Sequence, residues 1–380
     1  MIIQSLELAD FRNYETLSLF FDKGINIFYG DNAQGKTNLL EALYLSLTTK
    51  SHKSVKDKDC IRFGTNEAHI RTITDKEGLT MRVDMHLRAS KTKGIALDGV
   101  RIKKTGDFLK KLSARVIIFA PEDLDLIKGA PLLRRRYLDL ELCQQDASYL
   151  DALYKYNKTL QERSATLAKL GKMYGKTARA DETGVLLDVY DKTLIENGLY
   201  IINKRKEFID DMMPVLKEIH SKISGGVEDL TLSYKPNIEP DKYEEELRLN
   251  RTKDLITMKT NCGPHRDDLD FHIQKILNGT RMNRQVDVRK FGSQGQQRTT
   301  ALSMKLAEIE LVKKRQVSAP IMLLDDVLPE LDENRQKELL SAIGSLQTII
   351  TCTGLDDFVM SRLNIDKIFK VVDGKVTADN

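Results

Sequence analysis

The sequence predicts an α/β fold: a phosphate-loop core of mixed sheets with an inserted helical arm. Three observations carry this. An apolar strand, Ile25 to Phe28, runs straight into Gly30-Asp31-Asn32-Ala33-Gln34-Gly35-Lys36-Thr37. A second apolar run, Ile321-Met322-Leu323-Leu324, closes on Asp325-Asp326. Between them lies a long charged stretch with leucines at helical intervals. A glycine-rich turn between strand and helix lets backbone N–H groups curl around phosphates.

The elements follow in order. Ile3 to Leu8, Leu17 to Phe21 and Ile25 to Phe28 alternate or run apolar, with turn residues between them, and read as strands. A helix opens at Lys36 and carries Leu39, Leu40, Ala42, Leu43 and Leu47 at spacings of three and four. Residues 66–103 read as a strand meander: His69 to Ile73, Leu79 to Leu87, then a turn near Asp98-Gly99. Val116 to Phe119 is wholly apolar, as in strands buried on both faces. From Pro131 to about Ser224 the pattern is helical. One run carries Leu138, Leu142, Leu150, Leu153, Leu160 and Leu167. After a break around Gly171 to Thr183 comes a second with Leu186, Leu187, Leu194 and Ile201. The two predict an antiparallel arm, too short and irregular for an extended coiled coil. Sheet character resumes at Leu230 to Tyr234 and Leu269 to Ile273. A helix spans Ala301 to Leu311, and Ile321 to Leu324 and Gln347 to Thr351 read as buried strands. The expected domains are 1–130 and 256–380, two parts of one head, with 131–255 as the helical arm.

Composition bounds the function. The 380 residues are 41% hydrophobic and 31% charged, enough apolar content for a real core. No apolar run approaches the roughly 20 residues that span a membrane. The N-terminus carries acid early and does not read as a signal peptide. Cys60, Cys143, Cys262 and Cys352 are isolated, which points to neither a disulfide framework nor a zinc site and fits a reduced, cytoplasmic setting. Net charge is only +4 but uneven: residues 51–110 hold 14 Lys/Arg against 8 Asp/Glu. Arg134-Arg135-Arg136 forms a further cluster. A solvated face explains either run, but two basic patches beside a phosphate loop point to nucleic acid, with Lys53, Lys56, Arg134, Arg135 and Arg136 as candidate contacts.

The motifs assign roles. Lys36 is placed to pair with the β/γ-phosphates of ATP, and the Thr37 hydroxyl to ligate Mg2+. Gly30, Asn32, Gln34, Gly35 and Asn38 complete the expected nucleotide contacts. Asp325 ends a Walker B-like strand and would hold the Mg2+ shell. Asp326 stands where a carboxylate can orient or deprotonate an attacking water, one methylene shorter than a Glu. Ser293-Gln294-Gly295-Gln296 precedes a helix. Alone it is an ordinary serine N-cap. Placed before the acidic strand, it resembles the signature that ATP-binding-cassette ATPases present in trans, with Ser293, Gly295 and Gln296 facing the γ-phosphate on a second subunit. Leu331-Asp332 resembles the loop that crosses such a dimer. Arg12-Asn13 reads equally as a nucleotide contact or a polar turn. Gly263-Pro264-His265-Arg266-Asp267-Asp268 reads as a turn with satisfied side chains.

Together these residues resemble the RecF family of SMC-like ABC ATPases along nearly the whole chain. The resemblance rests on Leu8-Ala9-Asp10-Phe11-Arg12-Asn13-Tyr14, the phosphate loop through Asn38, Pro121-Glu122-Asp123-Leu124, and Lys128-Gly129-Ala130-Pro131 leading to Arg134. It continues with Gly263 to Asp268 and Ser293 to Arg298. It implies an ABC/SMC-type ATPase head with a helical arm (lobe II), an ATP-dependent homodimer, weak DNA-stimulated hydrolysis, and binding to duplex or gapped DNA. It also implies work with RecR and RecO to load RecA at gaps and stalled forks during the DNA damage (SOS) response. One departure stands out: Leu328-Pro329-Glu330 follows the acidic strand, where Pro329 removes a hydroxyl and an N–H that the family carries.

Two other readings compete. A transporter motor subunit would carry a histidine after the acidic strand, but the last histidine here is His272. A nucleotide-gated scaffold without useful turnover is compatible with the short reach of Asp326.

Overall fold

The computed structural model describes residues 1–53, 56–173, 180–277, 279–314, 319–344, 346–354 and 363–379. It opens with strands β1 (Ile2–Phe11), β2 (Tyr14–Phe20) and β3 (Ile25–Tyr29), then α1 (Lys36–Thr48). A meander follows: β4 (Glu67–Lys76), β5 (Leu79–Arg88), β6 (Gly94–Leu97) and β7 (Val100–Arg101), then α2 (Thr105–Leu112) and β8 (Val116–Phe119). The helical stretch comprises α3 (Asp125–Lys128), α4 (Pro131–Gln145), α5 (Ala147–Met173) and α6 (Ala180–Ile223). Next come β9 (Glu228–Lys235), α7 (Tyr243–Leu249), α8 (Arg251–Thr257), β10 (Asp268–Leu277), β11 (Thr280–Asp287) and α9 (Val288–Phe291). The chain closes with α10 (Gln294–Lys314), β12 (Ile321–Asp325), α11 (Glu333–Ile343), β13 (Thr348–Cys352), β14 (Ile365–Val372) and β15 (Lys375–Asp379).

The chain divides into two compact units. One holds residues 1–124, 222–224 and 298–380; the other holds 125–221 and 225–297. The first unit is two six-stranded sheets, ordered β2-β1-β4-β5-β6-β7 and β15-β14-β3-β13-β12-β8. The former is antiparallel throughout. In the latter, β14, β3, β13, β12 and β8 run parallel, and β15 is an antiparallel edge. Strands β8, β12 and β13 are buried at every position, as parallel strands covered on both faces must be. Helix α1 packs against strands of both sheets, so it is apolar around nearly its whole circumference, with Leu39, Leu40, Leu43, Leu45 and Leu47 buried. The sheets are tied by the buried Gln347 amide. It accepts from the Ile3 N–H at 2.6 Å and donates to the Ile3 and Asp22 carbonyls.

The second unit is the helical stretch plus a three-stranded sheet, β11-β10-β9. Contacts pair Asp146 with Tyr200, Tyr149 with Arg205, and Arg163 with Asp191, so α5 and α6 run antiparallel. The expected break between them narrows: α5 continues to Met173 and α6 starts at Ala180, and 174–179 lie outside the described residues. Leu186, expected on the second run, has its side chain outside them too.

Three strands and several short helices carry no clear sequence signal. Strand β11, Thr-Arg-Met-Asn-Arg-Gln-Val-Asp, is an edge strand with six of its eight residues exposed, so nothing selects apolar alternation. Strands β14 and β15 form a C-terminal hairpin around Asp373-Gly374, both at positive φ. Helix α10 starts at Gln294, directly after Ser293, where the sequence places a serine N-cap; its polar, exposed first turn precedes the apolar run from Ala301.

Candidate nucleotide site

The loop between β3 and α1 is shaped by its two glycines. Gly35 caps α1 in the left-handed region at φ 110, and a Cβ there would lie 2.4 Å from the Asn13 amide. That leaves glycine as the residue able to hold this turn. The Lys36 side chain is almost fully buried, with Nζ donating to the Gly30 and Asp31 carbonyls at 2.7 and 2.9 Å. It therefore lies folded along the loop.

Asp325 ends β12 beside this loop. Its Oδ1 accepts from Thr37 Oγ1 and from Thr351 Oγ1, each at 2.8 Å. Burial pushes its pKa up, and the two hydroxyl donors oppose that shift. Thr351, at the end of β13, also accepts from the Asp326 N–H at 3.1 Å. Asp326 has φ 51, a strained region for a residue with a Cβ. Its backbone is fixed there by the Thr351 carbonyl and hydroxyl. Its Oδ2 lies 3.9 Å from Lys36 Nζ, while its Oδ1 is buried with no hydrogen-bond partner among the described residues. A buried carboxylate oxygen left unpaired is costly, so its orientation points to a function.

The N-terminal strand pair supports the loop from outside. Asn13 donates to the Gln34 carbonyl at 3.1 Å and accepts from Asn38 at 2.8 Å. The buried Tyr14 hydroxyl donates to the Gly35 carbonyl at 3.0 Å. Gln34 accepts from the Asp373 N–H through its side chain and from the Gly374 N–H through its carbonyl, which ties the loop to the C-terminal hairpin. Arg12, at φ 53, donates to both oxygens of Glu41, at 2.8 and 2.9 Å, and to the Asp59 carbonyl. Burial works against the Glu41 carboxylate, but donation from Arg12 and Ser51 outweighs it and holds its pKa below the usual range. In this arrangement Arg12 braces α1. Tyr14, Glu41, Thr351 and Asp373 are supports to which the sequence assigned no role, and Gln34, expected at the nucleotide, is tied to Asp373. Thr351 alone had a signal, a hydroxyl at the end of a buried strand.

Ser293 lies in the second unit, on the surface before α10. Its Oγ accepts from the Gln296 N–H at 3.2 Å, and Gln296 Oε1 accepts from the Ser293 N–H at 2.8 Å. This is a reciprocal capping box, which fixes where the helix begins. Gln296 also donates to Glu228 at 2.7 Å. Ser293, Gln294 and Gly295 are all exposed, so the helix start faces outward. Pro329 occupies the first turn of the short helix Leu328–Glu330, where an N–H has no intrahelical partner to lose. Asp332 caps α11 through the Arg335 N–H.

The basic candidates divide. Lys53 and Lys56 are exposed in the first unit, and Lys53 pairs with Glu122 at 3.2 Å. The structure corrects Arg134: it is 2% exposed, and it donates to Asp268 and to the Leu126 and Gly129 carbonyls. Buried charge of this kind is structural pairing, not a surface for phosphate. Arg135 is half-buried and donates to the Asp267 carbonyl at 2.8 Å, and Arg136 is half-buried beside it.

Taken as a whole, the first unit is a P-loop ATPase head of the ABC/SMC type. The RecF/RecN/SMC N terminal domain family matches residues 2–377. The DNA replication and repair protein RecF of Agathobacter rectalis is 51% identical over 376 residues, covering 99% of both chains. RecF of Lachnospira eligens is 47% identical over 380 residues, covering 100% of both. A solved structure of the recombination mediator protein RecF with ATP, in the RecFOR pathway, matches at 31% identity with TM-score 0.85, over 100% of this chain and 98% of that one. The Smc head of Pyrococcus furiosus shares the fold at 19% identity and TM-score 0.55, over 100% and 96%. The chain belongs to the RecF family. No described helix is long and apolar enough to cross a membrane.

Proposed function

We propose that this protein is an ATP-gated DNA-binding switch in recombinational repair. Two copies close on two ATP molecules, each presenting its Ser293 helix start to the nucleotide of the other. The observation that carries this is the presence in one chain of two incomplete half-sites: a phosphate loop beside an Asp326 oxygen that is unpaired among the described residues, and an exposed, rigidly capped helix start. A helix N-terminus attracts phosphate oxygens through its outward N–H groups and dipole. The ATP named in the solved RecF structure supports the ligand.

Within that reading, Lys36 turns from the loop carbonyls to the β/γ-phosphates, and the Gly30–Gly35 backbone cradles them. The converged oxygens of Thr37 and Asp325 fit a hard divalent cation, so these two residues would hold Mg2+. Bound there, Mg2+ would neutralise phosphate charge. Asp326 orients the attacking water through its unpaired Oδ1, a weak arrangement given the short side chain. Loading of RecA with RecR and RecO at gaps belongs to the same reading, supported by the RecFOR pathway named for the relative. A nucleotide-gated scaffold without turnover is the second reading, and the short Asp326 favours it.

The DNA contacts are sought among exposed lysines and arginines such as Lys53 and Lys56, contacting phosphates without base selection. Closing two heads aligns two basic surfaces, so more phosphates are neutralised. The log-affinity versus log-salt slope for duplex DNA is therefore expected to be steeper with ATP than with ADP. Identical slopes in the two nucleotide states would remove the clamp.

A further inference from the structure

The antiparallel sheet carries a cluster of metal-capable side chains on its solvent face. Strand β4 alternates exposed Glu67, His69 and Arg71 with inward Ala68, Ile70 and Thr72. Glu67 and His69 therefore share the outer face. His86 of β5 stands directly opposite His69 in the strand register. The two imidazoles stack at 4.0 Å with 24° between their planes. His86 Nε2 lies 2.7 Å from Glu67 Oε2. One ligand atom from each of the three residues falls within 4.8 Å of the others. The histidines line a groove of about 470 Å³ shared with Arg71, Arg88 and Arg101.

We propose that Glu67, His69 and His86 form a divalent-metal site suited to Zn2+, stapling β4 to β5 and leaving a fourth position open. Two imidazole nitrogens and one carboxylate oxygen favour Zn2+ over Mg2+ or Ca2+, which take oxygen sets. Zinc–ligand bonds of about 2.0–2.2 Å require ligand atoms a little over 3 Å apart. Small side-chain rotations of the exposed Glu67 and His69 and the half-buried His86 reach that from the spacing present.

Arg88 makes the proposal specific. Its guanidinium lies 3.2 Å from His86 Nδ1 and donates to it, so Nε2 carries the proton shared with Glu67. Metal on Nε2 moves the proton to Nδ1, and Arg88 must swing away. Arg88 thus opposes the ion, and removing it strengthens the site.

The test is a titration of EDTA-stripped, nucleotide-free full-length protein with Co2+ and Zn2+, by calorimetry and visible absorption. One equivalent is expected, with tetrahedral cobalt bands and no sulfur charge-transfer band. His69→Gln and His86→Gln should each weaken binding at least about tenfold, since the loss of even an outer-shell partner of a metal ligand costs about 10–100-fold. Arg88→Ala should tighten it. Both histidines are at the surface of the sheet, so circular dichroism should report intact folding in the variants. Binding that is absent, equal in the histidine variants, weakened by Arg88→Ala, or marked by sulfur charge transfer overturns the site. In that case the cluster is only a hydrogen-bonded sheet surface.

Discussion

The phosphate loop with its acidic strand and the Gly263–Asp268 cluster are built from the same parts, and they end in opposite states. Each has a glycine at strongly positive φ, adjacent aspartates and a basic side chain. In the cluster the buried polar groups are paired, and only Arg266 is exposed. Asp267 is fully buried and accepts from Arg205, Tyr234 and the Asn237 N–H. Arg205 further donates to Tyr149, Asp139 and the Pro264 carbonyl. His265 sits between the Tyr156 hydroxyl at 2.7 Å and the Thr260 carbonyl at 3.1 Å. A Cβ on Gly263 would meet that same Tyr156 hydroxyl at 2.4 Å. At the phosphate loop, Asp326 has a buried oxygen unpaired among the described residues, and a strained backbone. Polar density therefore does not distinguish a site from a structural knot. Satisfaction does: a closed network stabilises a fold, and an orphaned, strained group awaits a ligand.

The contrast breaks first at Arg205. Arg205→Met leaves Asp267 and Asp139 without their cation, and stability should fall by about 3–5 kcal/mol. Urea unfolding reads this, and an unchanged midpoint would show that the cluster is not structural. Asp326→Asn should leave the fold intact and retain ATP, yet slow turnover about 100-fold, the low end for loss of a positioned base. Unchanged hydrolysis would remove Asp326 from the reaction. The smallest effect is at His265, whose pKa burial pushes down to about 4. Its folded pKa lies below the unfolded value near 6.5, so the unfolded chain binds the proton first. Its contribution is whole above about pH 6.5 and declines as pH falls toward 4, by about 2 kcal/mol at pH 5. His265→Gln should flatten the stability-versus-pH curve across that window; a curve of unchanged slope would clear His265 of the effect.

What the sequence made legible follows from physics. Strands β8, β12 and β13 are buried at every position, and β3 and helix α1 at nearly every one, so apolar runs mark them. The loop motif and acid pair are local, so spacing alone locates them. Glu41 with Arg12, Gln34 with Asp373, and Glu67 with His86 join residues far apart in sequence, and no local pattern encodes such pairs. Arg134 shows the converse error: three consecutive arginines look like a basic surface, but helix geometry turns the first inward to Asp268. Edge strands such as β11 stay hidden because exposure imposes no alternation.

The claim that the Ser293 helix start serves a second copy has one direct test. Sedimentation velocity should show wild-type protein converting from monomer to dimer on addition of ATP and Mg2+. Ser293→Arg places a bulky cation at the surface cap and leaves the residues of the phosphate loop unchanged, so the variant should bind ATP nearly as well and remain monomeric. A Ser293→Arg protein that still dimerises with ATP would contradict the shared-site assembly.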